Sequence, residues 1–126
     1  MASISDTILS FGEPVMRRLR ESSEPPSLDI IKRALEIVIT IWNAHVMATD
    51  AWGHPEHLSD LQRIALDPSA AADTVTTLAT LSERRFERFA DDIRVVSKWD
   101  LTFDELGRHK FDCTARLPDP EKTGRA

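Results

Sequence analysis

The stretch LDIIKRALEIVITIWNAHVMA, residues 28–48, constrains this chain more than any other part of it. Ile30, Ile31, Ala34, Leu35, Val38, Ile41, Trp42 and Val46 recur at i, i+3, i+4 and i+7, the spacing of one broad helical face. Ile37 and Ile39 widen that face until little polar surface is left at mid-length. The β-branched run IVITI favours a strand locally. The length of the stretch and the charges Lys32, Arg33 and Glu36 favour a helix instead. A helix apolar nearly all round is expected to be a buried central pillar. Ser27 is its expected N-cap, and Asp29 sits in the first turn, at the positive end of the helix dipole.

The remaining segments are shorter. Ile4, Ile8, Leu9, Phe11, Val15, Met16 and Leu19 follow roughly helical spacing, broken by Gly12 and Pro14. This predicts one short turn, a break, then a helix from Pro14 to about Arg20. Pro14 suits a first helical position, where its missing N–H costs nothing. ESSEPPS (21–27) is a linker and TDAWGHP (49–55) a connection. Pro55 then opens a helix to Leu66, with Leu58, Leu61, Ile64 and Ala65 on one face. DPSAAAD (67–73) breaks the chain, and a second long helix is expected from about Ser69 to Asp92. Its inward residues are Val75, Leu78, Leu81, Phe86 and Phe89.

From Ile93 the period changes from 3.6 to 2. Odd positions read Ile, Val, Ser, Trp, Leu and Phe as far as Phe103, then His109, Phe111, Cys113, Ala115 and Leu117. Even positions are mostly Arg, Lys, Asp and Thr. This is a β-hairpin with one apolar face. DELG suits a type I turn with Gly107 in the left-handed position. That register pairs Asp104 with Arg108, Leu101 with Phe111, Trp99 with Cys113, and Asp100 with Asp112. The fold class expected is therefore mostly α, formally α+β: a compact helical domain with a central hydrophobic helix and a C-terminal two-stranded antiparallel β-hairpin. Residues 1–117 form its single domain, with the hairpin at 93–117 and a polar tail at 118–126.

A chain of 126 residues that is 41% hydrophobic can build one modest core. No long apolar run free of charge is present, so no membrane span is expected. The N-terminal residues lack a basic region ahead of an apolar stretch, so no secretory signal is expected either. A single cysteine excludes an intramolecular disulfide framework and points to a reducing cytoplasm. The net charge of −5 opposes non-specific nucleic-acid binding, which depends on neutralising phosphates.

His45, Asp50, His54 and His57 offer metal-ligand chemistry, with HPEH supplying a His-x-x-His pair. That pair crosses a helix start and lacks the i, i+4 spacing of a metalloprotease helix. No metal and no cofactor are expected. Trp42 reads as core. Trp52, next to Gly53 in a short polar connection, either folds back as a lid on the pillar's end or stays exposed as an aromatic anchor. Asn43 reads as a hydrogen-bonding residue near a helix end. Arg84, Arg85 and Arg88, with Arg17, Arg18 and Arg20, offer an anion clamp. Their spacing with Glu83 and Glu87 also fits ordinary solvated faces. Cys113 falls on the hairpin's apolar face, with His109 about 13 Å away along the strand at roughly 3.3 Å per residue, too far to activate it. Asp100 opposite Asp112 is a like-charge pair that Lys98 and Lys110 can relieve.

With no catalytic set, the chain is expected to be a small interaction or regulatory protein. It would act as a homodimer or as the accessory subunit of a larger bacterial assembly, binding a protein partner or itself through Trp52, His54 and His57 or through the hairpin edge. One alternative is a metal-dependent enzyme using His54, His57 and a nearby carboxylate. A second is an anion or nucleic-acid adaptor using Arg84, Arg85 and Arg88.

Overall fold

The computed structural model describes residues 2–21, 26–103, 105, 106 and 108–118. These form five helices followed by one two-stranded antiparallel sheet: α1 (Ile4–Phe11), α2 (Glu13–Arg20), α3 (Leu28–Met47), α4 (Glu56–Leu66), α5 (Ala72–Arg88), β1 (Val95–Phe103) and β2 (His109–Arg116). The architecture is mostly α with a C-terminal hairpin, as the patterning predicts. The expected turn at Asp104 and Gly107, the pairing of Asp104 with Arg108, most of the linker and most of the tail lie outside the described residues.

α3 is the pillar. It packs against α1, α2, α4, α5 and β1. Ser27 caps its start, accepting the Ile30 N–H at 3.3 Å. The N-terminal turn is longer than predicted: Ser3 accepts the Asp6 N–H and starts a full helix, α1. Gly12 separates α1 from α2 at a close approach, since a Cβ there would lie 2.8 Å from the Val38 Cγ1 atom. Its lack of a side chain is what lets the α1–α2 corner rest on α3. No helix among the described residues is long and apolar enough to cross a membrane.

The main core gathers around three rings. Phe11, Trp42 and Phe89 meet edge to face, with centroids 5.1, 5.7 and 5.8 Å apart. A second cluster, Ile31, Leu35 and Leu101, lies under the hairpin, and Trp99 and Phe111 pack against both. β1 and β2 pair as expected, Trp99 with Cys113, Asp100 with Asp112 and Leu101 with Phe111. A bulge between Val96 and Lys98 breaks the alternation. It puts Val96, not Ser97, opposite Ala115, so the even-numbered Val96 joins the apolar face. Leu117 and Phe103, expected on that face, are exposed.

α5 is shorter than predicted, and its last turn is rotated relative to the expectation. Leu78, Leu81 and Arg85 share the inner stripe at i, i+3 and i+7, whereas Phe86 is 66% exposed. The inward placement of Phe86 is thus corrected, and it is Phe89 that packs against Phe11 and Trp42 from this end. On α4, Ile64 is also exposed.

Candidate interaction surface

The three elements around Trp42 show what the pillar's end does. The Trp42 indole N–H donates to the Arg94 carbonyl and the Trp52 indole N–H to the Ile93 carbonyl, each at 2.8 Å. Trp52 is therefore a lid tied to the core, with the Arg116 guanidinium 5.6 Å from its ring centroid. The connection closes because Gly53, at φ 73°, turns the chain back, so that the His54 N–H reaches the Met47 carbonyl. Asn43, one turn before the end of α3, does hydrogen-bond, but to another element: its amide bonds both backbone groups of Val96. Neighbouring side chains of α3 thus hold the entry to β1.

His54 and His57 remain on the surface of this turn. Their rings are 6.2 Å apart, and His54 Nδ1 lies 3.1 Å from a Glu56 carboxylate oxygen. His45 points elsewhere. It is buried between α3 and α5, with Nε2 2.8 Å from Ser82 Oγ and the Phe86 ring packed edge-on against it. Among the described residues, no three His, Cys, Asp or Glu side chains converge as a metal site. Two hollows of about 240 and 260 Å³ flank His45, and no carboxylate lines either. Burial first, then the Arg85 charge, holds the His45 imidazole below its ordinary value. It and Ser82 satisfy each other in an apolar setting.

The arginines go three ways. Arg84 donates to the Phe11 and Ser10 carbonyls, at 3.1 and 2.6 Å, closing the C-terminus of α1. Arg85, expected on a solvated face, is buried: it donates to the Asp92 carbonyl and lies over Trp42, 4.9 Å from its ring centroid. Its Nη1 has no hydrogen-bond partner among the described residues. Arg88 stays exposed. Burial first, then the neighbouring charges of Arg88 and Arg17, lowers the Arg84 pKa, against the opposing pull of Glu13 and Glu87. Among the described residues no ion pair joins Glu83 or Glu87 to these arginines; Glu13 instead takes Arg17 and Arg20. A residue that patterning treated as solvated, Arg94, binds the Asp92 carboxylate, the Ala2 carbonyl and Thr7 Oγ1.

The hairpin edges are partly covered. Asn43 seals β1 at Val96, and Ser5 Oγ accepts the Cys113 N–H from β2 at 2.8 Å. Asp100 Oδ1 accepts the Leu101 N–H, and Lys110 lies 3.8 Å from Asp112, so the like-charge pair has local compensation. These are devices that blunt strand addition.

An open apolar surface lies on the helical side. α3, α4 and α5 leave between them a groove of about 500 Å³, with Ile41, Leu61 and Leu78 among its lining. Ile37 and Ile64, also lining it, are 50% and 49% exposed. The pillar is apolar nearly all round, and the hairpin, α1 and α2 cover much of it. α4 and α5 cover the rest only in part. Arg33, Glu36 and Asp73 bring charge to the rim. Patterning placed Ile64 inward and expected the pillar to be enclosed; neither holds here. Comparison with protein-family models, with curated proteins and with solved structures finds no match.

Proposed function

We propose that this chain is a protein-interaction module of the cytoplasm, with the α3–α4–α5 groove as its working surface, acting as a homodimer or as an accessory subunit of a larger bacterial assembly. The observation that carries this reading is the half exposure of Ile37 and Ile64 beside an apolar groove. Covering an exposed isoleucine completely is worth about 1.5–3 kcal/mol, so a partner burying the open halves of both gains an appreciable driving force. The groove has the size and apolar lining of recognition sites, and the arrangement suits side chains inserted from a second surface. The Trp52 turn is the weaker candidate, because its indole is already engaged with Ile93.

A photo-cross-linking residue placed at position 37 or 64, in cells that make the protein, tests the proposal. A polypeptide adduct is expected at both positions, and Ile64→Asp should abolish the adduct formed from position 37. No adduct at either position would overturn the reading.

A further inference from the structure

We propose that Ser82 and His45 form a nucleophile–base pair that cleaves esters of short, uncharged carboxylic acids, an activity separate from the interaction reading above. Ser82 Oγ lies 2.8 Å from His45 Nε2, within the distance at which a base takes the proton of the group it activates. The two residues come from α5 and α3, and both line one hollow of about 260 Å³ that α4 closes from the third side. The pair therefore faces space that a substrate can occupy. Ser82 is half-buried, and Phe86, in the same lining, is exposed, so the hollow opens to solvent on that side. Burial first, then the Arg85 charge, keeps the imidazole in its neutral form at pH 7, the form able to accept a proton.

The lining sets the substrate class. Leu58, Leu61, Val75 and Leu78 give the hollow an apolar wall, and no Asp, Glu, Lys or Arg lines it, so a charged acyl group would be buried there without a counter-ion. Room for roughly eight water-sized groups limits the acyl part to a short chain. Ser82 lies inside α5, where its backbone N–H belongs to the helix, so a side chain has to meet the oxyanion. Gln62, on α4, is the amide donor of this lining. In the reaction, Ser82 Oγ bonds to the acyl carbon as its proton passes to His45 Nε2. The alcohol leaves with that proton as its bond to the acyl carbon breaks. Water then attacks the acyl-serine through the same base, releasing the acid and restoring Ser82. No carboxylate lines the hollow to orient His45. Loss of that member costs a serine triad about 10⁴-fold in turnover, so turnover is slow and the covalent adduct is the sensitive readout.

The experiment adds a fluorophosphonate probe, which phosphonylates an activated serine with loss of fluoride, to the folded chain and maps the adduct by mass spectrometry. One adduct is expected, on Ser82, and none in urea, where the pair is apart. His45→Gln should slow labelling by about 10²-fold or more, and Ser82→Ala should abolish it, each variant keeping the wild-type circular dichroism spectrum. Gln62→Leu should slow labelling by about 10²-fold through the oxyanion. With p-nitrophenyl butyrate, the wild type should release a burst of one nitrophenol per chain, and Ser82→Ala none. An unlabelled wild type, an adduct on another residue, or an unchanged rate in folded His45→Gln would overturn the inference. If His45→Gln does not fold, labelling of Ser82 that persists in urea would overturn it in the same way. An unchanged rate in Gln62→Leu would strike the oxyanion assignment.

Discussion

The Asn43 side chain pairs with Val96 as a strand would: Oδ1 accepts the Val96 N–H at 2.8 Å, and Nδ2 donates to the Val96 carbonyl at 3.0 Å. Asn43 projects from the pillar helix, so this double bond joins the two halves of the fold at the residue where the bulge begins. Asn43→Ala removes both partners from a buried backbone, an expected loss of about 1–3 kcal/mol. Asn43→Asp keeps the acceptor but turns a second acceptor toward the Val96 carbonyl, and should be no less damaging at neutral pH. Urea unfolding of the three proteins measures this. Equal midpoints would show that Val96 finds other partners.

Leu101 is the hairpin's buried contribution to the second core cluster, 4% exposed against Ile31 and Leu35. Leu101→Ala should cost about 2–5 kcal/mol, as buried leucine truncations do. Trp99→Ala should fall below the full large-aromatic cost, because Trp99 is only half-buried. Thermal unfolding checks both, and an unchanged transition for Leu101→Ala would mean that the hairpin is not part of the cooperative core.

His45 makes stability depend on pH. Its folded pKa lies below the ordinary 6.5 because burial, and then Arg85, disfavour the imidazolium. The unfolded chain therefore takes up the proton more readily. The contribution is complete above pH 6.5 and declines as pH falls from there toward the lower folded value, by about 1.4 kcal/mol for each unit of separation. His45→Gln should flatten this part of the stability profile. Denaturant midpoints on both sides of pH 6.5 would reveal it, and an unaltered slope in the variant would assign the effect elsewhere.

Cys113 should be a slow nucleophile. Burial pushes its thiol up to about 11, with the Ser5 hydroxyl acting in the opposite sense. The thiolate, which is the reactive form, is then scarce at neutral pH. Alkylation by iodoacetamide, followed by mass spectrometry, should be far slower for the native chain than in denaturant. Equal rates would mean that the thiol is open to solvent.

Arg84 and Arg88 lie about one helical turn apart on α5, with different expected costs. Arg84→Ala leaves the α1 carbonyls of Ser10 and Phe11 without their donor and should destabilise by about 1–3 kcal/mol, as for hydrogen bonds made by a charged group. Arg88→Ala, on the exposed side, should stay within about 0.5 kcal/mol. Parallel unfolding curves distinguish them, and matching losses would put both arginines in one structural role.

The pillar helix, its Ser27 cap and the pairings Trp99–Cys113 and Leu101–Phe111 follow from residue order alone. Each depends on a local period, 3.6 in the helix and 2 in the strands, that a short window carries in full. The bulge at Ser97 escaped because one extra residue shifts the alternation without leaving a mark in composition. Arg85 and Phe86 were exchanged because hydrophobicity puts the phenylalanine inside, while helix geometry puts position 85 in line with Leu78 and Leu81. There the Trp42 ring and the Asp92 carbonyl, supplied by other elements, make a buried guanidinium tolerable. The bonds of Asn43 to Val96 and of His45 to Ser82 join residues 53 and 37 positions apart, beyond any local pattern. The groove beside Ile37 and Ile64 belongs to the same class. Periodicity tells which side of its own helix a residue occupies. Whether that side is covered depends on the distances between α3, α4 and α5, which the packing of the whole chain decides.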